Sequence, residues 1–374
     1  MNSRPLTLTC SLADQLFAQT KSVGIFNLSL GLVEQLARRP EIARLTVLAN
    51  RTLIGRLPRS LDVRWHDAPA RGRLARIWWD QWGVYSAATA TDNEWLFLPK
   101  GFASFLRLPP SRLAVYIHDA MHGFYRQHHP KAISRLELAY FSRSLQASLR
   151  HASVCFTNTE FTAQEIRRLA VEAGMQPPHT VVAGIGFKPP EAPTNIRRSG
   201  LLVLASPFPH KRTALAVEWL AHWQEQTGFC EEIHWVGGLP DRMNWPDRMN
   251  WPDRMNWRHH PRLPEGAFRD RLIRVRALVF FSDYEGFGMP PVEAALAGAC
   301  PVLSDIPATR EVMGDCGYSF NNISYESFRA ALDSALKCPP QQIAAWADTL
   351  LARHNWTRVL DRFVAGLQAA PSVT

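Results

Sequence analysis

The chain has 374 residues, of which 46% are hydrophobic and 20% charged, a composition that excludes a disordered, collagen-like or disulfide-stapled protein. Its length is enough for two domains with separate cores. Lysines and arginines number 42 against 33 aspartates and glutamates, which gives a formal net charge of +9. A basic surface favours phosphorylated small molecules, nucleic acid or an anionic membrane face, without choosing among them.

Six cysteines indicate a reducing compartment, because no two lie at metal-ligand spacing and several sit in apolar runs, as buried thiols do. We therefore expect a cytoplasmic protein. No apolar run approaches the roughly 20 residues of a membrane span. The N-terminus also lacks a signal-peptide core, so we expect any membrane association to be peripheral.

Short apolar runs alternate with amphipathic segments through the first half of the chain. This alternation predicts βα units on a mostly parallel sheet. Helical patterns cover residues 27–38 and 131–149. The predicted strands of this half are 6–10, 45–49, 95–98, 113–118, 153–157 and 180–182.

The segment FKPPEAPTNIRRSG, residues 187–200, is Pro-rich, polar and aperiodic, which is typical of a linker. After it the alternation restarts and predicts a second doubly wound domain. Its predicted strands are 201–205, 232–236, 277–282 and 301–304, and its predicted helices are 213–226, 266–276 and 290–297.

One hexapeptide, PDRMNW, occurs three times in succession over residues 240–257. A proline at every sixth residue excludes the interior of a regular helix or a central strand. Removing two copies leaves HWVGGLPDRMNWRHHPRL, a sequence suited to a strand–turn–strand connection. We interpret the repeats as a tandem duplication in a tolerant surface loop. The alternative is a tryptophan-bearing clip for a membrane or a partner.

The chemistry is concentrated in residues 277–315, ALVFFSDYEGFGMPPVEAALAGACPVLSDIPATREVMGD. A buried strand ends at Ser282, a glycine-punctuated loop follows, and Pro290 and Pro291 suit the opening of a helix. Gly286 and Gly288 allow backbone N–H groups to approach a ligand closely. The helix N-terminus adds donors and a partial positive charge, so this stretch predicts a phosphate site.

Two glutamates flank this loop. Glu293 is expected in the first helical turn, where the helix dipole favours an ionised carboxylate that accepts hydrogen bonds from sugar hydroxyls. The spacing EGFGMPPVE, with Glu285 first and Glu293 last, resembles the signature of retaining glycosyltransferase family 4, whose members have the GT-B fold. Further resemblance to this family lies in residues 22–39, 76–84, 114–125, 155–166 and 354–363.

The resemblance implies two doubly wound Rossmann-like domains that face each other across a cleft. Residues 1–188 would form the acceptor-binding domain, 189–200 the linker and 201–353 the nucleotide-sugar-binding domain. The final segment, 354–374, would be a helix that packs back on the first domain.

The family holds the donor diphosphate with a basic pair, and the matching stretch here is LVLASPFPHKRTA. Lys211 falls on the family lysine, and His210 stands where many members have arginine. A neutral histidine is a poorer diphosphate partner than a bidentate arginine. Either Arg212 compensates for this departure, or the site binds the diphosphate more weakly.

The resemblance also implies catalytic and donor-binding roles. Glu285 would touch the transferred sugar and Glu293 the ribose of the nucleotide. His118, at the end of a strand, would face the cleft as a second catalytic residue, with Asp119 fixing His118 or its loop. The remaining donor-binding residues would be the backbone positions Gly286, Phe287, Gly288 and Met289, and Gly24 in the first loop.

The departing diphosphate carries negative charge while the sugar becomes cation-like. Lys211, Arg212 and helix-end amides can stabilise that charge without a metal. Because the sequence has no Asp-x-Asp motif, we expect no metal and no other cofactor. Retention of the anomeric configuration is implied by the family alone.

Residues 70–85, ARGRLARIWWDQWGVY, combine arginines with three tryptophans. This segment suits either an anionic membrane surface, with tryptophan at the interface, or a helix whose tryptophans are core. The sequence leaves both open.

The resulting prediction is a transferase of bacterial lipopolysaccharide O-antigen or exopolysaccharide synthesis. Its partners would be a nucleotide-sugar, with GDP-mannose favoured and UDP-sugars open, and a saccharide or lipid-linked acceptor, but no nucleic acid. A degenerate, non-catalytic nucleotide-sugar-binding protein is the non-enzymatic alternative. Signatures of an epimerase or of a pyridoxal-phosphate phosphorylase are not found.

Overall fold

The computed structural model describes residues 4–16, 23–189, 196–239 and 256–371, and the chain divides into two compact units. Unit 1 comprises Met1–Phe187 and His354–Thr374, and unit 2 comprises Lys188–Arg353. The predicted linker, 189–200, falls at the start of unit 2. Its residues 190–195 lie outside the described residues.

Unit 1 is built on a parallel sheet in the order β3-β2-β1-β4-β5-β6-β7. The strand β1 pairs with β2 on one side and β4 on the other, so the direction of winding reverses between β1 and β4. The strands are β1 Leu6–Ser11, β2 Ile42–Ala49, β3 Asp62–Trp65, β4 Trp95–Leu98, β5 Arg112–Ile117, β6 Val154–Thr157 and β7 Thr180–Val182.

Two helices of unit 1 begin just after polar residues that favour helix N-termini. Ser134 and Thr159 accept hydrogen bonds from the backbone N–H groups of Glu137 and Thr162 at the first turns of two helices. The helices are α1 Val23–Leu36, α2 Arg73–Trp78, α3 Val84–Thr89, α4 Met121–His128, α5 Arg135–His151 and α6 Glu160–Glu172.

Unit 2 is built on a second parallel sheet, in the order β10-β9-β8-β11-β12-β13. Its strands are β8 Leu201–Leu204, β9 Ile233–Val236, β10 Trp257–His260, β11 Ala277–Phe280, β12 Cys300–Ser304 and β13 Tyr318–Phe320. Its helices are α7 Thr213–Thr227, α8 Glu265–Arg274, α9 Met289–Leu296, α10 Pro307–Met313, α11 Tyr325–Ala335 and α12 Pro340–Arg353.

The core of unit 2 is aromatic. Trp223, Trp235, Phe281 and Phe320 are each at most 1% exposed and lie in one cluster. Because β8 pairs with both β9 and β11, the winding reverses between β8 and β11. Ligands of doubly wound sheets bind at the carboxyl ends of strands beside such a reversal, so this edge is where a site is expected.

The last helix, α13 Trp356–Ala369, belongs to unit 1. Its Phe363 ring stacks on Phe156 of β6, with centroids 4.2 Å apart, and meets Phe97 of β4 edge-on at 5.0 Å. All three rings are fully buried. The C-terminal helix is therefore an integral part of the core of unit 1.

The fold class is confirmed, because both units are parallel sheets with helices between the strands. Predicted strands 95–98 and 180–182 match β4 and β7, while the sequence missed the short edge strands β3 and β13. The prediction that Gly24 lies in a loop is wrong, since α1 begins at Val23 and includes Gly24. None of the described helices is long and apolar enough to cross a membrane.

The hexapeptide repeats lie mostly outside the described residues, which resume at Asn256. The predicted loop is nevertheless too long at its C-terminal end. Trp257, the last residue of the third copy, begins β10 and is 3% exposed. Its indole Nε1–H donates to Gln224 Oε1 at 2.7 Å, which fixes the start of the edge strand.

Truncation of Phe363 tests the contribution of α13 to unit 1. Phe363→Ala removes a fully buried ring from two aromatic contacts, so we expect the free energy of unfolding of unit 1 to fall by about 3–5 kcal/mol. Denaturant unfolding followed by circular dichroism measures it. Gln368→Ala, an exposed position of the same helix, is the control. Equal stability of the two variants would contradict this role.

Candidate functional site

The carboxyl ends of β8 and β11 bring together two residues of the sequence-predicted site. Lys211 ends a short 3₁₀ turn after β8, and Glu285 lies in the loop after β11. The Lys211 Nζ donates to Glu285 Oε1 in a direct ion pair, with the side chains 25% and 13% exposed. The Lys211 Nζ also lies 5.0 Å from the centre of the Phe280 ring. The pair is thus shielded from water yet reachable by a ligand.

The glycine turn connects Glu285 to α9. Gly288 has a φ of +82°, a left-handed conformation in which glycine is favoured, and α9 begins at the next residue, Met289. Pro290 and Pro291 follow and carry no N–H group. The backbone donors at this helix end therefore come from the turn 286–289 itself, where the sequence predicted amide contacts to a ligand.

Glu293 lies in the second turn of α9, so its predicted place in the first turn is wrong. Burial raises the pKa of its carboxyl to about 7, and the negative charge of Glu265 adds to the shift. Burial thus outweighs any stabilisation of the ionised form by the helix dipole. Near pH 7 the carboxyl is partly protonated and can donate as well as accept a hydrogen bond.

Arg212 is held beside Lys211 by an acid that the sequence analysis did not single out. Its Nε lies 2.9 Å from Asp283 Oδ1 and 2.8 Å from Asp283 Oδ2. The Nδ2 of Asn322, after β13, donates to Asp283 Oδ1 and to the Ser282 carbonyl, each at 2.9 Å. A polar residue just past a predicted parallel strand was the available signal for Asp283, whereas Asn322 follows β13, a strand that the sequence analysis missed.

His210 contacts this network through its backbone. Its carbonyl accepts a hydrogen bond from the Asp283 N–H at 2.7 Å. The imidazole is 5% exposed and stacks on Phe208, with centroids 6.0 Å apart. The donor-binding role of the His210 side chain stays a prediction, and the burial of the ring favours Arg212 as the second cation.

His118 belongs to unit 1 and directly follows β5. Its Nε2 lies 2.6 Å from the Pro99 carbonyl, which can only accept, so Nε2 carries the proton. Burial lowers the pKa of the imidazole, which is therefore neutral at pH 7 with a lone pair on Nδ1. Asp119 accepts a hydrogen bond from the Met121 N–H at 2.9 Å and so fixes the loop.

A second polar cluster in unit 1 escaped sequence reasoning. Asp14 follows β1 and Lys100 follows β4, on the two sides of the winding reversal, and Lys100 Nζ donates to Asp14 Oδ2. Nearby, the hydroxyl of Tyr140 donates to Asp80 Oδ2 at 3.0 Å. Burial and the charge of Asp14 raise the pKa of Asp80 to about 7, against Lys100, which lowers it. The signal that the sequence analysis missed was a residue of opposite charge after each of two strands, Asp14 after β1 and Lys100 after β4.

Comparison with known proteins connects these residues to a described family. Residues 256–347 match the family described as glycosyl transferases group 1. This stretch contains the glycine turn, Glu285, Glu293 and Asn322, so the resemblance to glycosyltransferase family 4 drawn from the glutamate motif is confirmed over these residues.

Two curated relatives are mannosyltransferases. O-antigen chain mannosyltransferase B of Escherichia coli is 25% identical over 315 residues, which cover 79% of this chain and 82% of the relative. The GDP-mannose:cellobiosyl-diphosphopolyprenol alpha-mannosyltransferase of Xanthomonas campestris is 34% identical over 98 residues, 25% of this chain and 26% of that protein.

Solved structures show the same GT-B fold. WaaG, a glycosyltransferase involved in lipopolysaccharide biosynthesis, is 14% identical with a TM-score of 0.67, over 97% of this chain and 100% of WaaG. HepE of Anabaena, solved with UDP and glucose, is 14% identical with a TM-score of 0.64, over 97% and 100%. The chain therefore has the GT-B fold, and its curated relatives include mannosyltransferases.

The raised pKa of Glu293 predicts a pH-dependent stability. The pKa of about 7 in the folded protein exceeds the ordinary value of 4.5. The carboxyl therefore makes its full contribution to stability only below a pH of about 4.5. That contribution is lost as the pH rises through 7. The free energy of unfolding of Glu293→Gln, relative to that of the parent protein, should therefore rise by roughly 1–3 kcal/mol between pH 5 and pH 8. Thermal unfolding across this range measures the difference.

The control for this experiment is Glu218→Gln. Glu218 is an exposed glutamate of α7, so this variant measures the effect of the same replacement at the surface. A Glu293→Gln difference that does not change from pH 5 to pH 8 would contradict the raised pKa.

Proposed function

We propose that the protein is a retaining hexosyltransferase that moves mannose from GDP-mannose onto a saccharide or lipid-linked saccharide, in cytoplasmic synthesis of an O-antigen or exopolysaccharide. The ion pair of Lys211 with Glu285 carries this proposal. It joins a cation suited to the leaving diphosphate and a carboxylate suited to the transferred sugar at the carboxyl ends of two neighbouring strands, and Glu285 lies in the stretch that matches the group 1 glycosyl transferases.

The chemistry follows from the charges of these groups. When the glycosidic bond to the diphosphate breaks, negative charge grows on the phosphate oxygens and positive charge on the sugar. Lys211 and Arg212 stabilise the first, together with the amides of the turn 286–289. Glu285 accepts hydrogen bonds from the sugar hydroxyls. With this positive charge supplied by side chains, we propose that transfer needs no metal and no other cofactor.

The donor is proposed from the relatives. Both relatives named above are mannosyltransferases, and the name of one specifies GDP-mannose and a polyprenol-linked acceptor. A UDP-sugar is the second candidate, because HepE, of the same fold, was solved with UDP and glucose. Whichever base is bound, the diphosphate and the hexose present the same chemistry to Lys211 and Glu285.

The donor proposal is tested by thermal shift and slow donor hydrolysis with GDP-mannose, UDP-glucose and UDP-GlcNAc in parallel. GDP-mannose should raise the melting temperature and be hydrolysed slowly. Lys211→Ala should weaken its binding by about tenfold or more, since a charge-assisted hydrogen bond is lost. Glu285→Ala should abolish hydrolysis while the parent fold is retained.

Lys337→Ala, which removes a lysine outside the site in the same unit, is the matched control and should bind GDP-mannose as the parent does. If none of the three donors stabilises the protein, the transferase proposal fails. If UDP-glucose or UDP-GlcNAc alone stabilises it, only the choice of GDP-mannose fails.

We also propose that unit 1 makes a peripheral contact with the membrane. The tryptophans of residues 70–85 differ in burial, so each of the two alternatives left open by the sequence describes a part of this segment. Trp79 is 3% exposed, and its Nε1–H donates to Ser11 Oγ in the core. Leu74, Trp78 and Trp82, spaced four residues apart, are 83%, 53% and 40% exposed. Exposed arginines, among them Arg73, accompany them.

This arrangement suits an anionic lipid surface. Indole rings favour the interfacial region of a bilayer, and arginines contact lipid phosphates. A turn of π-helix, Trp79–Gly83, follows α2 and carries Trp82 round to the exposed side. A lipid-linked acceptor would be presented at such a surface.

The membrane contact is tested by vesicle sedimentation with phosphatidylglycerol–phosphatidylcholine and with phosphatidylcholine alone. The parent protein should sediment with the anionic vesicles. Trp78→Ala and Trp82→Ala should each weaken binding to the anionic vesicles at least about fivefold, because less apolar surface is buried. Trp65→Ala, a 38% exposed tryptophan of β3, is the control. Equal binding by all three variants would refute the contact.

A further inference from the structure

Arg212 has a backbone conformation that arginine seldom adopts. Its φ is +48° and its ψ +31°, in the left-handed region, at the junction between the 3₁₀ turn and α7. The other non-glycine residues at positive φ within the described residues are Asp92 and Asn256. Aspartate and asparagine tolerate this region, whereas arginine is strained there. Strain that persists in a structure is a reason to look for a function.

The Arg212 side chain is held by a chain of hydrogen bonds from three other strand ends. Its Nε engages both oxygens of Asp283, which follows β11. Asn322, which follows β13, donates to Asp283 Oδ1. Ser304, at the end of β12, donates to Asn322 Oδ1 at 2.6 Å. The orientation of the guanidinium is thus fixed by residues at the ends of three adjacent strands of one sheet.

This attachment uses one nitrogen and leaves the other two for a ligand. Within the described residues, the Arg212 side chain contacts Asp283 through its Nε atom. The two terminal nitrogens carry four N–H groups in a planar fork, the geometry that matches phosphate oxygens. The side chain is 40% exposed, and it follows Lys211 directly in the chain.

Stability alone does not explain an arginine here. A partly exposed ion pair contributes little to stability, and the left-handed conformation costs an arginine a similarly small amount. Glycine would remove the backbone cost. Asp283 would still receive the hydrogen bond from Asn322. The arginine is therefore close to neutral for folding, and its charge and fixed orientation are what it adds.

We propose that Asp283 and Asn322 are positioning residues, which orient the Arg212 guanidinium to bind a diphosphate beside Lys211. This inference rests on the proposed function for the identity of the diphosphate as part of a nucleotide-sugar. It assigns the second cation of the site to Arg212, in place of the buried His210.

The first test is calorimetric titration with GDP, inorganic pyrophosphate and guanosine. Arg212→Gly should raise the Kd for GDP and for pyrophosphate about tenfold, the loss of one charge-assisted bidentate contact. Binding of guanosine, which has no phosphate, should not change. Because glycine relieves the strained backbone, the melting temperature should equal or exceed that of the parent, which a purely structural arginine would not allow.

The second test asks whether Asn322 acts through Arg212. Asn322→Ala should raise the Kd for GDP about threefold in the parent and not at all in Arg212→Gly, because the group it positions is gone. Asp283→Asn, which keeps the shape of the side chain, is a second variant should Asn322→Ala fold poorly. Arg212→Lys restores the charge without the planar fork and should recover only part of the affinity.

The matched control is Arg258→Ala, which removes the same charge from unit 2 at an exposed arginine paired with Glu232. It should change the Kd less than twofold. The inference is overturned if Arg212→Gly binds pyrophosphate as the parent does, or if the effects of Asn322→Ala and Arg212→Gly add. If the parent binds pyrophosphate but no nucleotide, the donor proposal fails and this inference stands.

Discussion

The site depends on the adjacency of β8 and β11 in a parallel sheet. Because the chain winds in opposite directions from β8, the carboxyl ends of these two strands lie side by side. Residues 74 positions apart in sequence, Lys211 and Glu285, meet there because Leu201 and Ala277 are in register. Strand order, more than any single residue, creates the site.

Each cation at this edge already has a carboxylate partner. Lys211 contacts Glu285, and Arg212 contacts Asp283. In water such pairs contribute little, but at a half-buried edge they hold long side chains in one conformation. A diphosphate that enters would compete for the cations, and the carboxylate of Glu285 would then be available to sugar hydroxyls. The pairing therefore prepares both groups for a charged ligand and its sugar.

Burial raises the pKa of two carboxyl groups of this protein towards neutral pH in the same way. Glu293 in unit 2 and Asp80 in unit 1 each have a pKa raised to about 7, first by desolvation and then by a neighbouring acid. Each lies near the carboxyl edge of a sheet whose winding reverses. Carboxyls that titrate near pH 7 can both donate and accept hydrogen bonds, and a hydroxyl group can be a partner in either direction.

The sequence by itself determined the fold class and the glycine–glutamate loop, because both depend on local order: apolar runs of strand length, Gly286 and Gly288, and two prolines that begin a helix. It could not determine which strands would be neighbours. The contacts of Asp283 with Asn322 and of Asp14 with Lys100 therefore became visible only in the tertiary structure, which brings distant strand ends together. Burial was likewise decided only by packing, which separates Trp79 in the core from exposed Trp78, and which makes Glu293 a weak acid where helix position alone favoured an ionised one.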